Sequence, residues 1–258
     1  MLLNDEFMAK IRPVINENQL RFGDAQDGGY VVDLQSVVDA KLLISLGYGF
    51  NCSFEKDFIK FDKNKSAILF DDQINLFTTL KTFFSTKFRM NRKYVDTLLF
   101  RFANLARYIS MKLSRRITYH NLRVVKEATT SKEIAFSRII DGIEVEYFLK
   151  IDIEGYEYEI LELDLNLLKK CLGICIEFHQ IDGNKEKFLF IVEKLKREFD
   201  VTNIHINNYG GIKNGIPEVM EVTFQRKIGR NIGERNYVKA IPSSNLNYKN
   251  NPKSPEIY

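Results

Sequence analysis

The chain has 258 residues, 45% hydrophobic and 12% aromatic, with 38 Lys and Arg against 34 Asp and Glu. That length can bury one sizeable core, and the composition is too apolar for disorder. A formal net charge of +4 does not by itself imply nucleic acid, no apolar run approaches the ~20 residues of a membrane span, and three cysteines make no disulfide framework.

In chain order, Asp5 to Asn16 reads as a short helix weakened by Pro13. The start Met-Leu-Leu-Asn-Asp-Glu-Phe lacks a signal peptide's basic head and apolar core. With the reduced cysteines this points to the cytoplasm. Asp27-Gly28-Gly29 reads as a tight turn and Tyr30-Val31-Val32 as the strand after it. Leu42 to Leu46 is a buried strand, broken by Gly47-Tyr48-Gly49 and followed by Phe54, Phe58 and Phe61 at helical spacing. Strand, Gly-x-Gly and helix form the first crossover of a nucleotide-binding α/β sheet, where bare backbone faces the ligand. A third glycine at the dinucleotide spacing is missing, Cys52 standing there, which disfavours an NAD-dependent oxidoreductase.

Ala67 to Phe70 is the next strand and ends in Asp71-Asp72. An acid at this place can accept from both hydroxyls of a ribose; as plain structure it would cap a turn. From Lys81 to Lys126 the chain is strongly basic. Tyr94, Leu98, Phe102, Leu105, Ile109 and Leu113 recur at helical steps, with Arg101, Arg107, Lys112, Arg115 and Arg116 mostly elsewhere. This basic helical insertion, about residues 85–118, is a structural cover with a solvated face, a surface for an anionic substrate or lipid headgroups, or, less simply, an RNA contact. Leu122 to Val125 reads as the third strand and Ser131 to Ile140 as a helix.

Tyr147 to Ile151 is a strand that delivers Asp152 and Glu154 into a break at Gly155, after which Ile160, Leu161, Leu165 and Leu168 continue at helical spacing. Acids at a strand end before a helix either solvate a loop or line a ligand site. Leu172 to Ile176 is the fifth strand, ending in Glu177-Phe178-His179, with Glu177 and His179 on one side of an extended chain. Lys185 to Phe199 is a helix, Val201 to Ile206 a sixth strand carrying His205, and Val219 to Phe224 a last strand containing Glu221. Two of the three histidines thus fall at consecutive strand ends beside acids and asparagines, a grouping that suggests catalysis although a lone histidine is usually structural. Residues 1–226 read as one domain and 227–258, with Pro242, Pro252 and Pro255, as a polar extended tail.

Gly28-Gly29-Tyr30-Val31, Ser45-Leu46-Gly47-Tyr48-Gly49 with Ser53-Phe54-Glu55, Lys150-Ile151-Asp152-Ile153-Glu154-Gly155 and Glu177-Phe178-His179 together resemble the FkbM-type S-adenosylmethionine-dependent methyltransferases. The resemblance spans roughly residues 20 to 225. It implies a Rossmann-like class I methyltransferase fold: a seven-stranded, mostly parallel sheet with helices on both faces and the last strand antiparallel. It also implies O-methylation of sugars in polysaccharides, glycolipids or related precursors, with S-adenosylmethionine as cofactor. Carried onto this chain, Gly47, Tyr48, Gly49 and Glu55 border the cofactor, Asp71 or Asp72 holds its ribose, and Asp152 lies near the methionine amine or the methyl. His179 or His205 is the base, with Asp152 and Glu177 in the same site. A divalent Mg or Mn on Asp152, Glu177 and His179 is the alternative to metal-free chemistry. The expected partner is a glycan or sugar-containing acceptor, with contact to an anionic or inner membrane surface through the basic helix and no nucleic acid. Competing readings are a non-catalytic nucleotide-binding module and a membrane-surface adaptor on the same fold.

Overall fold

The computed structural model describes residues 3–49, 51–73, 106, 109–110, 113–227, 236–238 and 245–257. The strands in chain order are β1 (Gln19–Phe22), β2 (Tyr30–Asp33), β3 (Leu42–Leu46), β4 (Ser66–Phe70), β5 (Ile117–His120), β6 (Arg123–Val125) and β7 (Glu133–Ala135). They continue as β8 (Tyr147–Ile151), β9 (Cys171–Phe178), β10 (Phe199–Ile206), β11 (Ile212–Lys213), β12 (Ile216–Pro217) and β13 (Met220–Arg226). The helices are α1 (Asp5–Lys10), α2 (Leu34–Asp39), α3 (Ser53–Phe61), α4 (Phe136–Ile140), α5 (Glu157–Ile160) and α6 (Lys185–Leu195), with a 3₁₀ turn at Leu165–Leu168.

Seven strands form one sheet in the order β10-β13-β9-β8-β3-β4-β5. All neighbours are parallel except β13, which runs antiparallel to both β9 and β10. This is the class I methyltransferase arrangement expected from the motifs. The chain steps outward from β3 to β4 and β5, then returns to β8 on the other side of β3. The carboxyl ends of β3 and β8 therefore flank the point where the winding reverses, the place where open α/β sheets take ligands.

Alternation along the buried strands sends one set of side chains to each face. Ile44, Leu46, Leu149, Ile151, Ile174 and Ile176 join one apolar layer with α4, α5 and α6. Leu43, Leu69, Phe148 and Leu172 join the other, under α3 and the β1–β2 hairpin. On this second face the carboxyl-edge positions are polar. Ser45, Lys150, Cys175 and Thr223 stand side by side on β3, β8, β9 and β13. One step further on, Glu177, Glu221 and His205 align across β9, β13 and β10. Asp152 lies at the corresponding level, just past the end of β8.

Several local expectations need correction. The strand beside β4 is Ile117–His120, whereas Arg123–Val125 leaves the sheet and pairs with Glu133–Ala135. The helix expected over Ser131–Ile140 keeps only Phe136–Ile140, because Glu133 to Ala135 is taken up by that small pairing. The helix after Gly155 is four residues long and gives way to a 3₁₀ turn capped by Asp164. The N-terminal helix stops at Lys10, short of Pro13. The C-terminal segment is no free tail. Asn247 exchanges amide bonds with Asn203, Asn208 donates to the carbonyls of Asn251, Ser254 and Pro255, and Ile257 packs on the core. Most of the basic insertion, with Tyr94, Leu98, Arg101, Phe102, Leu105, Arg107 and Lys112, lies outside the described residues. No helix among the described residues is long and apolar enough to cross a membrane.

Candidate active site

Two clefts open at the carboxyl edge and meet at Asp27, Asp152 and Glu154. The first, about 430 Å³, is bordered by Gly47, Tyr48, Gly49, Phe70, Asp71 and Lys150. Gly47 has φ 72°, and a Cβ there would stand 1.7 Å from the carbonyl oxygen of Asp152. Only glycine lets the β3 and β8 turns approach so closely. Gly49, at φ 56°, donates its N–H to Asp71 Oδ2 at 3.0 Å, and Asp71 Oδ1 accepts from Gln73 N at 2.8 Å. A Cβ on Gly49 would meet nothing nearer than Asn51 N at 4.0 Å, so bare backbone faces open space beside a carboxylate at the β4 end.

Beneath this turn sits a buried charge cluster. Lys150, 2% exposed, donates to the carbonyl of Gly47 and lies 3.7 Å from both Glu55 Oε1 and Asp152 Oδ2. Burial works against its charge, but Glu55 and Asp152 more than offset that and raise its pKa. Glu55 accepts from Ser45 Oγ at 2.6 Å and is fully buried. It therefore braces the turn from below and does not border the cleft. Asp72 is at the rim, held by Arg123 at 2.7 Å.

The second cleft, about 330 Å³, adds Glu177, His179, Asn207, Tyr209 and Val219. The Tyr30 hydroxyl lies 3.1 Å from both Asp152 Oδ2 and Glu177 Oε2. A phenol has one proton, so it can donate to one carboxylate and accept from the other only if that one is protonated. Burial, then the charges of Asp152 and Glu221, push the Glu177 carboxyl well above its ordinary range, which favours the proton there. Its Oε1 accepts from Asn207 Nδ2 at 2.7 Å.

His179 Nδ1 is 2.9 Å from Glu157 Oε1, and its Nε2 is 3.6 Å from Glu154 and 3.8 Å from Glu177. Burial opposes the ring's charge, but the Glu157 bond and the charges of Glu157, Glu177 and Asp152 win and push the imidazole up to about 9. At neutral pH it is an imidazolium. Glu157 Oε1 also accepts from the backbone N–H of Ile153 and Gly155, which folds the Asp-Ile-Glu-Gly turn around it.

His205 does not join this group. It is 1% exposed, lies 3.2 Å from both Glu221 and Glu256, and borders neither cleft. It is sealed by the docked C-terminal segment, in which Asn250 also donates to Glu221 at 2.7 Å. Asp152, Glu154 and His179 bring ligand atoms within 4.8 Å of one another, a possible cation set that uses Glu154 where Glu177 was expected. Sequence reasoning assigned no role to Lys150, although a lysine inside an otherwise apolar strand two places before Asp152 was a readable signal. For Tyr30, no local pattern marks it as the bridge between two distant acids.

The group implied by the motifs fits the first cleft: glycine backbone bare toward open space, a carboxylate at the β4 end, and apolar Phe70, Leu122 and Val124 along one wall. Residues 91–202 match the family described as the methyltransferase FkbM domain. No curated protein matches the chain. Among solved structures it is similar to a precorrin-6y C5,15-methyltransferase from Geobacter metallireducens GS-15, with 12% identity, TM-score 0.34, and 75% of this chain and 87% of that one covered. It is also similar to the 23S rRNA methyltransferase ErmE, with 7% identity, TM-score 0.39 and coverage of 75% and 66%. A third, an O-methyltransferase family protein from Burkholderia thailandensis, shows 11% identity, TM-score 0.37 and coverage of 77% and 54%, so this chain spans about half its length. These likenesses are distant, and no residue role is taken from them. Residues 91–202 are thus similar to the FkbM methyltransferase domain, and the sheet order is the one that the motifs implied.

Proposed function

We propose that the protein is an S-adenosylmethionine-dependent O-methyltransferase acting on a sugar hydroxyl of a polysaccharide, glycolipid or related precursor. The observation that carries this is the meeting of two unlike clefts at Asp152: one of bare glycine backbone, one of hydrogen-bonding side chains. The cofactor supplies a methyl group on a sulfonium carbon, open to in-line attack. Gly47 and Gly49 line its methionine part, and Asp71 holds the ribose, accepting from its hydroxyls. Asp152 takes the proton of the acceptor hydroxyl, a role that supplies on the order of 10²–10⁴-fold in rate. Tyr30 and Lys150 hold Asp152 in position. His179, already carrying a proton, serves as donor and orienting charge and not as the base. His205 is left with a structural part.

Titration with S-adenosylmethionine and with NAD by calorimetry, followed by methyl release on a panel of glycans, tests the reading. S-adenosylmethionine alone should bind, and some glycans should be methylated. Asp152→Asn should lower kcat by the factor above while the cofactor still binds. Cofactor binding with no methyl release from any acceptor would turn the assignment into a binding module. If a chelator abolishes turnover and Mg²⁺ or Mn²⁺ restores it, Asp152, Glu154 and His179 hold a metal and the proton step must be reassigned.

A further inference from the structure

We propose that the docked segment 245–257 is a functional part of the second cleft: clamped by Asn208, it fixes the loop 207–211 where Asn207 and Tyr209 meet the acceptor, which makes Asn208 a positioning residue for methyl transfer. The proposal rests on the sugar methyltransferase reading above and names what holds its acceptor wall in place.

The segment carries a turn that closes on itself. Asn251-Pro252-Lys253-Ser254 puts an acceptor side chain first and proline second, the order that a tight turn favours. Ser254 N donates to the carbonyl of Asn251 at 3.2 Å, Lys253 N donates to Asn251 Oδ1 at 3.0 Å, and Asn251 Nδ2 donates to Ser254 Oγ at 3.0 Å. Carbonyls turned toward the protein still need donors. One side chain supplies them. The two amide protons of Asn208 are shared among the carbonyls of Asn251, Ser254 and Pro255, at 2.9, 3.3 and 3.1 Å, and its Oδ1 accepts from Asn251 N at 2.7 Å. Asn208 is buried. The turn is anchored on both sides as well. Asn250 donates to Glu221 before it; after it, Glu256 reaches His205 and Ile257 packs on the apolar core.

The preceding residue faces the other way. Asn207 Nδ2 donates to Glu177 Oε1 at 2.7 Å, and the Oδ1 and carbonyl of Asn207 accept from Tyr209 N and Gly210 N at 2.9 and 3.1 Å. Asn207, Tyr209 and Gly210 border the second cleft, and Asn208 does not. Two adjacent asparagines thus join the cleft wall to the docked turn across a single peptide bond. Tyr209 is 62% exposed, so its ring is placed by its backbone and not by packing. An aromatic on a pinned backbone offers a flat apolar face and a hydroxyl with little rotamer freedom to lose, which suits a sugar ring. The bonds from Asn247 to Asn203 and Ile204 secure the edge strand β10 and do not reach the cleft. They would serve a cover of that edge; the clamp at Asn208 adds a tie to the cleft wall.

The test compares Asn208→Ala with Asn247→Ala in the full chain. Both lose bonds to the segment, but only the first loosens the loop. Backbone hydrogen exchange over 207–211 should quicken about tenfold in Asn208→Ala, with β3 and β8 unchanged. S-adenosylmethionine should bind as in the parent by calorimetry. On the glycan of the panel that the parent methylates fastest, KM should rise about tenfold and kcat should change much less. Asn247→Ala should lower the urea midpoint and leave loop exchange and KM parental. If Asn208→Ala folds poorly, Asn251→Ala loosens the turn from the other side and should move exchange and KM in the same direction. Parental exchange and KM with the clamp removed overturn the proposal. So does the same rise in Asn247→Ala, which would make it an effect of stability alone. Faster loop exchange with no glycan methylated upholds the clamp and sinks the methyltransferase reading; methylation with parental loop exchange and KM does the reverse.

Discussion

The two clefts are built from different materials. The first cleft is made of backbone: two left-handed glycines and a carboxylate whose partners are N–H groups within a few residues or at the end of the next strand. The second is made of side chains from β2, β9 and the loops after β8 and β10, which meet only once the sheet is assembled. The first can tolerate change in most side chains but not in its glycines. The second depends on a balance of buried charges, and each substitution there shifts its neighbours. Lys150 belongs to both, through the Gly47 carbonyl on one side and Asp152 on the other.

Breaking that link should have the largest effect. Lys150→Met leaves Glu55 fully buried beside Ser45 without its cation. Removing one partner of a buried pair costs about 3–5 kcal/mol. Urea unfolding should show this loss, and adding Glu55→Gln should recover much of it because the stranded charge is gone. If Lys150→Met unfolds at the parental midpoint, the cluster is not a brace and the two clefts are independent.

The contrast between backbone and side-chain construction also decides what the sequence disclosed. Gly47, Gly49 and Asp71 follow one another in a single crossover, so spacing alone brought together residues that border the first cleft. The sheet was legible for the same reason: its inner strands are unbroken apolar runs. The edge was not. Ile117–His120 carries Thr118, Tyr119 and His120 and reads as less apolar than Leu122–Val125, yet it is the one paired with β4. At the second cleft the strand-end rule gathered Asp152, Glu177 and His179, which do border one opening. It could not separate His179 from His205, because both sit on strand ends beside acids. The difference is the docked segment with Asn250 and Glu256, which seals one of them and whose polar, proline-bearing sequence gave no sign of docking.

His179 sharpens the comparison through pH. Its folded pKa of about 9 stands above the ordinary value of 6.5. The stabilisation is therefore fully present below about 6.5 and is lost as pH rises through about 9, with an upper bound of about 3 kcal/mol. His179→Gln should flatten the fall of stability over that window, leaving whatever slope His205 contributes. An NMR titration should put the His179 midpoint near 9; a midpoint near 6.5 would mean that the Glu157 pair does not form and would restore His179 as a candidate base.

At the first cleft, Asp71→Ala removes the acceptor for Gly49 N and the proposed ribose partner together. The cofactor should bind about 1–3 kcal/mol more weakly, with acceptor preference unchanged. Asp71→Asn should fall between, since one oxygen remains. Parental affinity in calorimetry would move the ribose contact elsewhere, with Asp72 the neighbouring acid on the same rim.

The smallest expected effect concerns a residue first grouped with an acceptor-facing basic surface. Arg116 immediately precedes β5, a strand parallel to β4, so it lies at the amino edge of the sheet, opposite both clefts. Its guanidinium donates to the carbonyls of Ile59, Asp62 and Lys65, at and just after the end of α3. The last carbonyls of a helix carry partial negative charge and lack partners within it, and a cation there satisfies both needs. Arg116→Gln should therefore cost about 1 kcal/mol of stability, read as a lower urea midpoint, with acceptor KM and its salt dependence unmoved. A raised acceptor KM at parental stability would contradict this position and return Arg116 to the basic surface. The expected outcome separates one arginine of that stretch from any role in choosing the acceptor.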